Sequence, residues 1–295
     1  VNKIITRIKG GLGNQLFCYA AARRLALLND AELVLDDVSG FAYDIIYKRR
    51  YQLDHFSIPC RKATAAERME PFSRLRRYLN RSYNRRRPFG DRCYIQQEST
   101  GYDPRLLHVK PRGTVYLEGY WQSEDYFKDV EQTIREDLRI TPPVDGLNQR
   151  IAGEIRGSNA VALHVRRFDA PGSAAIHNLS AYYYRRAIAL MESKTESPPR
   201  YFLFSDDPEA ALEMIDLPEG RVTCVSHNRG GENAYADLWL MTLCRHFITA
   251  NSTFSWWGAW LGGCGTKVVC TPDLKLVGKT AWGFKGLIPD GWIKV

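Results

Sequence analysis

Three short runs of this chain concentrate side chains suited to holding an anion. They are His164-Val165-Arg166-Arg167-Phe168-Asp169, Ser205-Asp206-Asp207 and Asn251-Ser252-Thr253-Phe254-Ser255. Arg166 can offer a phosphate two parallel N–H bonds, a more directional grip than a lysine ammonium gives. Ser252 and Thr253 precede a helical pattern opening at residue 254, so their hydroxyls and the unpaired N–H groups of a helix start would face one anion. Asp237, on the amphipathic run Asp237-Leu238-Trp239-Leu240-Met241, can accept two N–H bonds from a guanine. Together these parts suit a nucleoside diphosphate. Each also has a plainer reading: paired arginines on a solvated loop, an acid stabilised by a helix N-terminus, and Asp207 as a helix cap.

The elements that precede the runs separate these readings. Ala160-Val161-Ala162-Leu163, Tyr201-Phe202-Leu203-Phe204 and His246-Phe247-Ile248-Thr249-Ala250 read as buried strands, as do Arg221 to Val225 and Lys267 to Cys270. Helical patterns lie between them at 180–193, 208–215, 235–244 and 254–262. Ser180 is placed to cap the first of these, with Leu179 stapled against Tyr184. Asp207 is placed to cap the second, with Pro208 at its first position. Strands alternating with helices give a parallel sheet. All its C-terminal tips share one edge, and in open α/β sheets ligands bind outside that edge. Three polar clusters on one edge are therefore expected to form one site.

The first half opens on a second unit of the same kind. Asn2 to Lys9 reads as a strand, Gly10-Gly11-Leu12-Gly13-Asn14-Gln15 as a glycine-rich turn, and Leu16, Tyr19, Ala20, Arg23 and Leu27 as a helix stopped by Asn29-Asp30. A further strand, Glu32 to Asp37, completes a βαβ unit. A dinucleotide fingerprint would need glycine where Leu16 stands, so nicotinamide and flavin binding are set aside. Pro142-Pro143-Val144-Asp145-Gly146 is the clearest break. The domains expected are 1–150, 151–275 and a tail, 276–295, packing back on the first.

Composition bounds the partners. The 295 residues suffice for two domains, and 44% hydrophobic with 25% charged residues fits an ordinary globular protein. Lys and Arg number 41 against 33 Asp and Glu, a net +8 that favours an anionic partner without choosing one. No apolar run is long enough to span a bilayer, and Val1 to Lys9 lacks a signal-peptide layout. Seven scattered cysteines without a C-x-x-C pair argue against a disulfide framework and structural zinc, so a cytoplasmic setting is expected. From Arg68 to Arg92 nine arginines face only Glu70 and Asp91. That is either a solvated helical face or a contact for an anionic membrane surface or acidic glycan. Phe72, Tyr78 and Tyr83 show no nucleic-acid stacking pattern. In Glu118-Gly119-Tyr120-Trp121-Gln122, exposed aromatics beside polar groups suit stacking on a sugar.

Gly10 to Phe17, the run 164–169, and Ala250-Asn251-Ser252-Thr253-Phe254-Ser255-Trp256-Trp257-Gly258-Ala259-Trp260-Leu261 together resemble the inverting α-1,2-fucosyltransferases of glycosyltransferase family 11. Gly119 to Ser123 and Phe204 to Pro208 add to the resemblance, which runs from residue 3 to about 270. It implies a GT-B-like α/β fold: two Rossmann-like domains with parallel sheets facing a central cleft, GDP-fucose held mainly by the second, and no required metal or other cofactor. It further implies Arg166 on the donor β-phosphate with His164 beside it and Asp237 on guanine. Ser252, Thr253 and Phe254 would surround the nucleotide and phosphates, Asn14 would line the sugar side, and a galactose-terminated oligosaccharide or glycolipid would be the acceptor. Tyr120, Trp121 and Gln122 are the acceptor-side candidates. Asp169 is the nearest carboxylate to the reacting centre, expected to orient the arginines. Two departures stand out: Phe168, where many members carry glycine, and the lack of a glutamate beyond it.

Two other classes compete. A metal-dependent nucleotide-sugar transferase would use Asp206 or Asp36-Asp37. A basic binding module for glycan or membrane would use the arginine run, possessing no turnover and leaving the three strand-tip clusters idle.

Overall fold

The computed structural model describes residues 2–45, 47–168, 177–263, 265–277 and 281–295. The chain forms two α/β units, Val1–Thr141 with Phe284–Pro289, and Pro142–Gly283 with Asp290–Val295. The division falls after Thr141 rather than near 150. A cut at 150 would split the helix Gly146–Arg156, whose Ile151, Ala152 and Ile155 are buried and whose Asn148 bonds Asn228 of the second unit. The C-terminal segment is shared: 284–289 belongs to the first unit, and Ile293–Lys294 adds an edge strand to the second sheet.

The first unit contains β1 (Lys3–Arg7), α1 (Leu12–Leu27), β2 (Glu32–Asp36), β3 (Arg61–Lys62), α2 (Ser73–Asn84), β4 (Tyr94–Gln96), β5 (Thr114–Glu118) and α3 (Glu131–Asp137). Its sheet runs β3-β2-β1-β5-β4, every pair parallel. Gly10 turns β1 into α1 at φ +79°, a left-handed value where a Cβ would also meet Asn14 and Tyr120. Gln15 pins that turn. Its buried amide donates to the carbonyls of Gly10 and Arg50 and accepts from the Gln52 N–H.

The second unit contains α4 (Gly146–Arg156), β6 (Ala160–Val165), α5 (Ala181–Lys194), β7 (Arg200–Ser205), α6 (Pro208–Met214), β8 (Val222–Val225), α7 (Ala234–Leu243), β9 (His246–Ile248), α8 (Thr253–Leu261), β10 (Val269–Thr271) and β11 (Ile293–Lys294). The sheet order is β11-β10-β9-β6-β7-β8, again wholly parallel. β6 is buried at all six positions, as a central strand covered on both faces must be. Val161, Leu163, Leu203, Tyr184 and Met191 share its core, each large side chain contributing roughly 1.5–3 kcal/mol of burial. The capping expectations hold: the Ser180 side chain accepts from the Tyr183 N–H, and Asp207 from the Ala210 N–H.

Candidate functional site at the second sheet edge

Numbered within its unit, the second sheet has the order 3-2-1-4-5-6, and β6 and β9 flank the point where the winding reverses. At such a point the connections leave in opposite directions and open a crevice at the strand C-termini. The loop after β6 carries Arg166, the loop after β7 Asp206, and the loop after β9 Asn251 and Ser252. The three sequence clusters thus leave three neighbouring strands, on one edge.

Arg166 is fixed from two sides. Its guanidinium pairs with Asp206 and lies 5.1 Å from the centre of the Phe168 ring. The other Asp206 oxygen accepts the Arg167 N–H at 2.8 Å. Asp206 therefore orients the two arginines; Asp169, expected in that role, lies outside the described residues. The engagement of Asp206 with two consecutive residues also makes Asp206 a poor choice of metal ligand. Phe168 is held in turn by Asn178, whose Oδ1 accepts the Phe168 N–H at 2.6 Å while its Nδ2 donates to the Phe168 carbonyl. Sequence reasoning treated Phe168 only as a departure and did not single out Asn178.

His164 is the last but one residue of β6 and is buried, with its ring 5.7 Å from that of Phe254. Burial, reinforced by the Arg166 charge, lowers its pKa to about 3, so the imidazole is neutral at physiological pH. Its Nδ1 is buried and has no hydrogen-bond partner among the described residues. Asn251 shows the same pattern: its Nδ2 donates to the His177 carbonyl at 2.9 Å, and its buried Oδ1 is unpaired among the described residues. Unpaired buried polar atoms cost about 1–3 kcal/mol each. Ser252 caps α8, accepting the Phe254 N–H at 3.3 Å, which leaves its own hydroxyl proton available to a ligand. Thr253 opens the helix.

Asp237 lies in the first turn of α7, which precedes β9, so that turn sits at the strand C-terminal side of the sheet. Among the described residues the carboxyl accepts one bond, from Asn228 at 2.9 Å, and Asn228 exchanges hydrogen bonds with Asn148, itself bonded to the Asp145 cap of α4. Burial with only that one compensating bond raises its pKa to about 7. Asp237 is therefore not the exposed helix acid of the plainer reading. A carboxyl half-charged at neutral pH has acceptor capacity to spare, and N–H donors from a ligand would draw it fully into the ionised state. Asn228 and Asn148 carried no sequence signal, since their role appears only when the two loops meet.

The candidates of the first unit behave differently. Trp121 is fully buried, edge-on to Tyr126 at 5.6 Å, so it is core and cannot stack on a sugar as expected. Tyr120 is half-buried beneath the Lys9 ammonium, 4.6 Å from its ring centre, and Gln122 donates to Asn14 at 2.7 Å. Asp36 is wholly buried and accepts from the Val38 and Ser39 N–H groups and the Ser39 and Tyr116 hydroxyls, which removes it as a metal ligand. No group of three or more His, Cys, Asp or Glu is placed to hold a metal among the described residues.

Two α/β units with parallel sheets, the second gathering polar clusters at its winding reversal, form the architecture of the GT-B class of glycosyltransferase. Residues 3–275 match the model of glycosyl transferase family 11, and the chain belongs to that family. It is 29% identical to an alpha-1,2-colitosyltransferase of Escherichia coli over 99% of this chain and 98% of the relative. It is likewise 29% identical to the O-antigen biosynthesis glycosyltransferase WbnK of Escherichia coli over 98% of this chain and 99% of that one. A solved Arabidopsis thaliana FUT1 variant in complex with GDP shares the fold, with a TM-score of 0.53 and 14% identity over 95% of this chain and 72% of that chain.

Proposed function

We propose that this glycosyltransferase moves L-fucose from GDP-fucose to O2 of a terminal β-galactoside on an oligosaccharide or glycolipid, with inversion and without a metal. The observation that carries the reading is Arg166, fixed by Asp206 and Phe168 at the winding reversal beside a neutral His164. The family membership and the α-1,2 linkage in the name of the colitosyltransferase relative support the linkage assigned. In this reading the bond between C1 of fucose and the β-phosphate oxygen breaks, its electron pair leaving on GDP. The acceptor oxygen bonds C1 from the opposite face, and its proton passes to water, so the products are the fucoside, GDP and one solvated proton. Negative charge grows on the leaving β-phosphate, so a preorganised Arg166 stabilises the transition state more than the bound substrate. His164 stays neutral and adds no second charge to be desolvated. Asp237 takes the guanine N–H groups, Ser252, Thr253 and Phe254 line the nucleotide, and Asn14 with Gln122 serves the sugar side.

Release of GDP from GDP-fucose across a panel of galactosides, with linkage analysis of the product, tests the assignment. GDP-colitose belongs in the same panel, given the relative's name. Turnover should persist in excess EDTA, and its loss there would favour the metal-dependent class. Arg166→Ala should lower kcat by about 10²–10³-fold while the protein stays folded. Near-normal turnover in that variant would overturn the role given to Arg166.

A further inference from the structure

Helix α2 is built inside out. The face it turns to the protein is polar: Arg77 and Asn84 are buried, and Ser73, Asn80 and Arg81 are half-buried on the same side. Arg81 pairs with Glu118, and the Asn84 Oδ1 accepts the Cys93 and Tyr94 N–H groups. The apolar residues point the other way. Phe72, Leu75, Leu79 and Tyr83, at helical spacing, are 55–74% exposed, and Tyr78 is exposed beside them. Ordinary surface helices bury that stripe.

The charge carried by α2 itself is of one sign. Arg74, Arg76, Arg85 and Arg86 are exposed and Arg87 half-exposed, none pairs with a carboxylate among the described residues, and α2 itself contains no acid. Arg74 and Arg76 sit in the first turns, against the positive end of the helix dipole, with no acidic or capping side chain to offset them. Arg74 lies over the ring of Tyr43, so the loop after β2, with its exposed Tyr43, Ile45 and Tyr47, continues the patch. Exposed aromatics and leucines between arginines that pair with no carboxylate among the described residues match the acyl–headgroup boundary of an anionic bilayer. A second copy of the chain would oppose the same positive charges, and nucleic acid would leave the leucines in water.

We propose that α2 with Tyr43, Ile45 and Tyr47 forms a docking surface for an anionic lipid bilayer, with Phe72, Leu75 and Leu79 seated below the headgroups and the flanking arginines among them. The surface lies on the first unit and stands independently of the donor reading for the second.

Cosedimentation of the full chain with phosphatidylcholine vesicles containing about a third phosphatidylglycerol, against pure phosphatidylcholine, tests it. Binding is expected to the anionic vesicles alone. The exposed triple variant Phe72→Ser/Leu75→Ser/Leu79→Ser should reduce partitioning at least about tenfold. Arg85→Ser/Arg86→Ser should do so by about tenfold. The far-UV circular dichroism spectrum and the urea unfolding midpoint, measured on the same preparations, should stay unchanged and report that the variants are folded. Vesicle binding that the serine triple leaves intact would overturn the proposal in favour of simple electrostatic adsorption. Absence of vesicle binding together with a wild-type dimer dissolved by the triple would overturn it in favour of self-association.

Discussion

The acids at the two sheet edges are hydrogen-bonded to different degrees. On the first, acids are saturated: Asp36 receives four hydrogen bonds, and Glu118 is held by Arg7, Arg81 and Tyr94. Burial alone would raise the Glu118 pKa, but the Tyr94 bond and the charges of Arg7, Arg81 and Lys9 outweigh it and leave it lowered. On the second, His164 Nδ1 and Asn251 Oδ1 are buried without partners among the described residues, and Asp237 has one bond where it could take several. A satisfied network specifies structure, whereas a half-satisfied one costs stability until something completes it. For the acids of the two edges, the difference separates a scaffold from a site.

The largest effect that would break this contrast falls on the first edge. Glu118→Ala should cost about 3–5 kcal/mol of stability, because Arg7 and Arg81 lose their shared buried partner. Denaturant unfolding would show it as a lowered midpoint, with GDP affinity of the still-folded fraction unchanged. If Glu118→Ala is neutral for stability yet abolishes nucleotide binding, the first edge is not the scaffold described.

Asp237 gives the opposite signature. An acid whose folded pKa is raised from the ordinary 3.8 to about 7 destabilises the fold when ionised. The penalty is absent below about pH 4, accumulates as pH rises to about 7, and is then constant, reaching up to about 4 kcal/mol. Asp237→Asn should therefore raise stability at pH 8 by a few kcal/mol and leave it nearly unchanged at pH 4. It should weaken GDP binding about tenfold or more, through loss of a charged acceptor. In the wild type, GDP affinity should rise as pH increases from 5 to 8, with protons released on binding below pH 7. A flat affinity profile would remove Asp237 from the nucleotide contacts. A residue that costs the fold stability and supplies binding is what the second edge predicts.

Much of this was legible from local pattern. The buried strand cores 160–163 and 201–204, the caps Ser180 and Asp207, and the convergence of three clusters on one edge all follow from periodicity and the geometry of parallel sheets. Partnerships between loops were not. Asp206 with Arg166 and Asn228 with Asn148 depend on which strands lie side by side, and no residue spacing encodes that. Trp121 misled because an aromatic beside polar neighbours looks the same whether its backbone turns it outward or, as here at φ +56°, into the core. The composition of α2, dominated by arginines, left a solvated basic face and an anionic-membrane or glycan contact undivided. Only the orientation of its leucines shows that the polar side is the inner one.

The finest test concerns how Arg166 is held. Asp206→Asn keeps an acceptor for the Arg167 N–H and removes the charge that anchors the guanidinium. Phe168 still supports that group from below, so the arginine should stay near its place but sample more rotamers. The expected cost is about tenfold in kcat with KM nearly constant, since misplacement of a charge-stabilising group penalises the transition state more than ground-state binding. Combining Asp206→Asn with Phe168→Gly removes both supports. If the two act on the same guanidinium, the double variant should lose more than the product of the single effects and approach Arg166→Ala, a coupling that additive losses would disprove. In an Arg166→Ala background both substitutions should become nearly silent, because a positioning residue has no work left once the group it positions is gone.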